Sequence, residues 1–291
     1  MKILFLRVTL CFNLIITEIM GNTMTLWEAD YYDENSKLQR EIAQKFLDFL
    51  QKKEFPFQGH LLDIGCGTGR ITSDIQSKFP GIRITGIDAS KEMIEFANRT
   101  FAKAKVAFYQ DRAEELKVIP PNSMDAVVSF SCLHWVHDLE TAFQAMNRVL
   151  KPGGWVGAVF CADTGIDDPS DEAEAQAFQE EPWRDYFKDL KQEVQWNIVK
   201  PEIIRSQLAK AGFEIHFMGT LPFDFVFEDV AAFERWILGC FIQLKQLPPD
   251  LQLSCAGRIA QLYLEASDNF QPKAPHCIYR VNPFMFIAQN S

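Results

Sequence analysis

Between residues 36 and 52 apolar side chains recur at helical spacing: Leu38, Ile42, Phe46 and Leu50 share one face, with Ala43 and Leu47 beside them. Ser36 followed by Gln39 is the capping-box pattern that starts such a helix. Downstream come short, almost continuous apolar runs: HLLDI (60–64), IRITGI (82–87), VAFY (106–109), DAVVSF (125–130) and WVGAVF (155–160). Runs without a polar face suit strands buried on both sides, which a parallel sheet requires. Amphipathic stretches at 69–79, 90–102 and 138–150 separate them, with Ser90 and Asp138 placed as N-caps and a short turn near 113–117. Strand alternating with helix predicts an open α/β sheet with right-handed crossovers.

After Phe160 the alternation stops. Residues 162–182 are acidic and poor in strand formers, so a surface excursion is expected. KPEIIRSQLAKAGF (200–213) predicts a helix ending at Gly212, and 214–227 a strand and a loop. Residues 228–243 and 248–266 read as helices split by LPPD. The segment 276–289 reads as a final strand at or near the sheet edge, because of Pro283. The division expected is an extension at 1–23, a core of 24–161 with 200–227 and 276–291, and cap insertions at 162–199 and 228–275.

Composition narrows the class. The chain has 291 residues, 47% hydrophobic and 23% charged, as in ordinary globular proteins. A formal net charge of -10 with no dense Lys/Arg cluster argues against a nucleic-acid backbone as partner. The seven cysteines form no C-x-x-C pair, so neither a metal site nor a disulfide framework is expected. Reduced thiols imply a cytoplasmic compartment. The apolar start, MKILFLRVTLCFNLIITEIM, is interrupted by Arg7, Asn13 and Glu18. It reads as an upstream extension rather than a leader or anchor, and membrane association is not expected.

The chemistry starts at HLLDIGCGTG (60–69). Three glycines at alternate positions follow a first strand and precede a helix, the design that brings a ligand close to backbone at the carboxyl ends of parallel strands. The spacing is G-x-G-x-G, not the dinucleotide G-x-G-x-x-G, and Asp63 stands two residues before Gly65. A carboxylate there opposes a pyrophosphate and suits a cationic ligand end. The stretch LLDIGCGTG resembles the first motif of class I S-adenosylmethionine-dependent methyltransferases. The resemblance implies a Rossmann-like, mostly parallel seven-stranded sheet with helices on both faces, an N-terminal helical lid and a C-terminal helical cap. It implies S-adenosylmethionine as cofactor, with Asp63 at its methionyl end and Gly65, Cys66, Gly67 and Gly69 giving close backbone approach.

About 20 residues on, GIDAS places Asp88 at the end of the second strand, where a carboxylate accepts from ribose hydroxyls. Capping of the next helix is the competing role. Ala89 follows it, and Met93 flanks the adenine or packs in the core. FYQDRAEEL (108–116) resembles the family segment that meets the adenine amino group. Arg112 takes the usual acidic position there and Asp111 precedes it, so Asp111 is the expected contact. SFSCLHWVHD (129–138) follows the fourth strand, which in this family faces the methyl group. Phe130, Ser131, Leu133, His134 and Trp135 are the candidates there, with His137 read as solvated.

Residues 27–50 and 131–154 resemble the juvenile hormone acid and trans-aconitate methyltransferase group. That resemblance implies a lid carrying Trp27, Tyr31, Tyr32 and Gln39, with Gln39 and Trp135 orienting a substrate carboxylate. The expected partner is therefore a small-molecule carboxylic acid, and the expected reaction is methyl ester formation. His134 is the base if the acceptor is instead an alcohol. Arg184, Lys188, Arg235 and Arg280 are the cations available to an anionic acceptor. A carboxyl methyltransferase acting on an acyl-carrier-protein thioester, a non-catalytic nucleoside-binding relative and a nicotinamide oxidoreductase are the competing readings.

Overall fold

A computed structural model describes residues 28–104, 106–165, 169–188, 197–266 and 277–291. The expectations for 1–23 and for Trp27 lie outside the described residues. The chain begins with α1 (Ala29–Asn35) and α2 (Lys37–Lys52). Then follow β1 (His60–Ile64), α3 (Arg70–Lys78), β2 (Arg83–Asp88), α4 (Lys91–Thr100), β3 (Val106–Gln110) and β4 (Met124–Phe130). A 3-10 turn (Leu133–Trp135) leads into α5 (Leu139–Val149) and β5 (Leu150–Phe160). The later elements are α6 (Pro169–Ala177), α7 (Arg184–Phe187), α8 (Pro201–Lys210), β6 (Phe213–Thr220), β7 (Phe223–Phe227), α9 (Val230–Cys240), α10 (Pro249–Ala266), β8 (Cys277–Val281) and β9 (Phe284–Asn290).

Seven strands form one sheet in the order β3-β2-β1-β4-β5-β9-β6, parallel except for β9, which runs against both neighbours. The near-continuous apolar runs are explained by cover on both faces. Leu61, Ala126 and Val128 lie in one core with Leu38, Phe46 and Leu50 of α2 and Ile75 of α3. Leu62, Val127 and Val156 lie in another with Phe143, Met146 and Val149 of α5 and Ile204 and Leu208 of α8. Ser90 and Asp138 cap α4 and α5 as expected, accepting from the Met93 and Thr141 N–H groups. Strand order departs in opposite directions from β1, toward β2 on one side and β4 on the other. The crevice beyond their carboxyl ends is where open α/β sheets bind ligands.

Four expectations are corrected. Ser36 makes no side-chain cap to α2, because α1 ends directly against it and its hydroxyl turns back to the Asp33 carbonyl. The loop expected before Phe227 is a strand, β7, which pairs with β8 in a separate two-stranded sheet. The single final strand is two strands broken at Pro283, of which β9 lies near the edge of the main sheet as expected, between β5 and the edge strand β6. The acidic excursion contains α6, whose Ala173 and Ala177 are buried under α10. Around β7 and β8 the rings of Phe227, Phe233, Trp236, Tyr263 and Tyr279 pack at centroid distances of 5.0–5.9 Å. This aromatic cap stands over the carboxyl end of the sheet.

Candidate active site

The turn from β1 into α3 is built on left-handed backbone: Gly65, Gly67 and Gly69 have φ of 74°, 53° and 80°. Packing adds a second reason at two of them. A Cβ on Gly65 would overlap the Cys132 thiol, and one on Gly69 would stand 2.6 Å from the Phe108 ring. A Cβ on Gly67 would meet only Tyr32 Cε1, at 3.9 Å. Open space therefore lies over the middle glycine. Cys66 turns the other way and is buried against Gly86, Ile94 and Phe108.

Asp63 is 1% exposed at the foot of this turn. Its Oδ2 accepts from Thr72 Oγ1 at 2.6 Å, while buried Oδ1 has no hydrogen-bond partner among the described residues. Burial raises its carboxyl to about 7, with the Thr72 bond pulling down and the Asp88 charge pushing up. An orphaned carboxylate oxygen costs about 1–3 kcal/mol or more, so it calls for a donor, and a cation answers best. Asp88 lies at the end of β2. Its Oδ2 accepts from Gly67 N–H (2.9 Å) and its Oδ1 from Ser90 N–H (2.8 Å). Burial raises its carboxyl, and these backbone bonds oppose the shift. Each oxygen keeps a second lone pair for a hydroxyl donor. Ala89 follows in the loop, its carbonyl bonded by the Gln110 side chain, and Met93 packs with Ala29, Phe96 and Tyr32.

Two further candidates have contacts of their own within the protein. Both Asp111 oxygens accept backbone N–H groups, of Arg112 and Val118 at 2.8 Å, which ties the carboxylate to its own loop, and Arg112 pairs with Glu114. Phe130 is a core residue, 5% exposed and edge-on to Phe46 at 6.0 Å.

Beyond Tyr32 opens a cavity of about 890 Å³. Gln39, Ser131, His134 and Trp135 all line it. Gln39 does not cap α2. Its amide donates to Cys240 Sγ (3.0 Å) and accepts from Trp236 Nε1 (3.3 Å), tying α2 to the cap. Ser131 sits at φ 50°, a strained position for a non-glycine residue at the end of β4. His134 is 5% exposed, and its Nδ1 accepts from Cys161 N–H at 3.3 Å, which leaves the proton on Nε2. Burial drives this histidine down to about 3. Leu133 is buried core and His137 is exposed. Of the expected cations, Arg280 lines the cavity and also pairs with Asp224, whereas Arg184 and Lys188 pair with Glu181 and Asp185 on the surface. Among the described residues no cluster of His, Cys, Asp or Glu could hold a metal, and no helix is long and apolar enough to cross a membrane.

Sequence reasoning missed Asp33, Thr68, Arg70 and Thr72. Asp33 Oδ1 accepts from Thr68 Oγ1 (3.0 Å) and Arg70 Nε (2.7 Å), and Oδ2 pairs with Arg70 Nη2. Thr68 and Arg70 stand inside the glycine motif, but nothing local pairs them with a residue of α1.

Residues 62–158 match the family model described as a methyltransferase domain. The match begins one residue before Asp63 and spans Asp88, Ser131 and His134. The chain contains a class I S-adenosylmethionine-dependent methyltransferase domain. Outside it the likeness is looser. Trans-aconitate 2-methyltransferase of Rhodopseudomonas palustris (strain BisB18) is 27% identical over 256 residues, 84% of this chain and 94% of that protein. Juvenile hormone acid O-methyltransferase of Drosophila melanogaster is 26% identical over 236 residues, 77% of this chain and 78% of that protein. Malonyl-[acyl-carrier protein] O-methyltransferase of Priestia megaterium (strain DSM 319 / IMG 1521) is 31% identical over 126 residues, 43% of this chain and 45% of that protein. The alignment thus spans about half the length of that last relative and centres on the methyltransferase domain.

Proposed function

We propose that the protein transfers a methyl group from S-adenosylmethionine to a carboxylate oxygen of a small organic acid with an apolar body. The observation that carries the reading is the buried Asp63 carboxylate, with one oxygen unpartnered, beside open space over Gly67. That pair fits the cofactor's ammonium end, with the Asp88 carboxylate available to its ribose hydroxyls. The cofactor supplies an electrophilic methyl on a sulfonium, which an oxygen nucleophile takes in one displacement as the C–S bond electrons return to sulfur.

The acceptor class follows from what the chain offers. His134 at about 3, with Nδ1 occupied, does not serve as general base at neutral pH. A carboxylic acid, ionised above about 4, needs none. It needs orientation and exclusion of water, which the Gln39 amide, the Trp135 ring and the cap provide. Tyr32, Leu38, Ile42, Trp236, Tyr263 and Tyr279 wall the cavity, and its volume suits a drug-sized apolar ligand. Asp163, Asp171 and Glu172 also line it, against Arg280. A compact polyanion would meet like charge there, and a single carboxylate on an apolar frame meets less. The trans-aconitate and juvenile hormone acid relatives support methylation at carboxylate oxygen.

The test is turnover with methyl-labelled S-adenosylmethionine over a panel of mono-, di- and tricarboxylates and an acyl-carrier-protein malonyl thioester. Methyl esters and S-adenosylhomocysteine are read by mass spectrometry. Apolar monocarboxylates are expected to turn over fastest. Product only from the thioester removes the acceptor assignment. Tight binding of a nicotinamide dinucleotide with none of S-adenosylhomocysteine removes the reaction itself.

A further inference from the structure

We infer that Asp33 is a positioning residue that governs cofactor exchange, by pinning helix α1 to the glycine-rich turn. The inference rests on the proposed cofactor reading. Helix α1 has seven residues, too few to hold a helix alone, so its place depends on tethers. On one side Tyr31 Oη donates to the Arg235 carbonyl of the cap at 2.9 Å, and Lys245 pairs with Glu28 at 3.2 Å. On the other side Asp33 grips the turn. Its side chain is 8% exposed and takes Thr68 Oγ1 and both the Nε and Nη2 of Arg70, a forked, directional pair. Its own carbonyl accepts from Arg40 Nη1 at 3.0 Å, which fixes α1 to α2 as well.

The tether is aimed at the ligand space. Gly67 N–H binds the Asp88 carboxylate, and the next residue, Thr68, binds Asp33. The strap and the expected ribose acceptor are thus attached to consecutive residues of one turn. Tyr32, the residue before Asp33, bounds the open space over Gly67 and also walls the acceptor cavity. A ligand seated over Gly67 and under Tyr32 leaves when α1 lifts, and α1 lifts when Asp33 parts from Arg70. Removing Arg70 leaves the Asp33 charge uncompensated in a largely buried place, and removing the Asp33 charge unties the half-exposed Arg70 from α1, so the pair is sensitive to single substitutions.

The test uses Asp33→Asn, Arg70→Gln, their double variant, Arg70→Lys and wild type. Asp48→Asn, which loses an ion pair to Lys78 at the far end of α3, is the control. Stopped-flow displacement reads the dissociation rate of S-adenosylhomocysteine, and thermal melts read folding. The rate is expected to rise about tenfold in each single neutralising variant, the size of a lost charge-assisted bond. The double variant is expected to be no faster than the faster single, as for one shared interaction. Arg70→Lys, which keeps charge but not the fork, is expected to fall between. The Asp48→Asn control is expected to stay within about twofold of wild type. Rates within about twofold of wild type in both singles overturn the inference while leaving the cofactor reading intact. If Asp33→Asn fails to fold, Arg70→Gln decides, since that side chain is 42% exposed. Wild type that binds no S-adenosylhomocysteine overturns the cofactor reading, and this inference with it.

Discussion

The Asp63 carboxyl, held up to about 7 by burial, is mostly protonated in the ligand-free protein below that pH. In the unfolded chain it ionises near 4. Its folded value is the higher one, so its contribution to stability is complete below about 4 and is lost as pH rises to about 7. A cationic ligand reverses the balance, since it binds the carboxylate and expels the proton. Calorimetry in buffers of different ionisation enthalpy is therefore expected to show proton release on S-adenosylhomocysteine binding below pH 7, with affinity falling as pH falls. In Asp63→Asn that pH dependence disappears and affinity drops about tenfold or more. Unchanged affinity in that variant would remove the cationic-end assignment. The motif placed the Asp63 and Asp88 carboxylates at the glycine turn because strand, turn and carboxylate are contiguous. The loop bonds of Asp111 and the core packing of Phe130 were not legible, because no sequence shows which N–H groups a carboxylate will take or which side of a strand end faces the core. Asp33 and Arg70 stand 37 positions apart, and their pairing exists only once the chain has folded.

The glycine turn separates roles that look identical in sequence. Gly65→Ala drives a methyl into the Cys132 thiol at positive φ, so it is expected to cost about 1–3 kcal/mol of stability. Gly67→Ala meets open space, so only the φ penalty of about 1 kcal/mol applies to folding, while ligand affinity falls. Melting temperature and S-adenosylhomocysteine affinity, measured side by side, distinguish the two. The reverse pattern would mean that nothing occupies the space over Gly67. Helices α4 and α5 were readable from sequence because capping is local. Helix α2 carried the same signature at Ser36 and Gln39, yet both side chains are used elsewhere, because a helix runs straight into its start. Strand β7 carried a readable alternation, Phe223-Asp224-Phe225-Val226-Phe227, that Pro222 masked.

Across the whole molecule, the strand-helix alternation up to Phe160 exposed the sheet's first five strands, and its second half stayed opaque. The cap's order depends on aromatic side chains from α9, α10, β7 and β8 meeting in space. The interior place of β9 depends on pairing with β5 and β6, strands 124 and 64 positions upstream by the registers Phe160↔Phe284 and Thr220↔Phe284 (284 − 160 = 124; 284 − 220 = 64). Deleting 284–291 strips the partner from both strands and removes buried Phe284, Met285, Phe286 and Ile287. Such a chain is expected to lose cooperative unfolding and to enter the insoluble fraction; a sharp melting transition would contradict that placement.

That arrangement also bears on biosynthesis. Because the strand that joins β5 to β6 is made after both, a nascent chain carries unfilled hydrogen-bonding edges on β5 and β6 until β9 has emerged from the ribosome. A polypeptide cut short before Phe284 would therefore be prone to aggregation rather than merely a weakened catalyst.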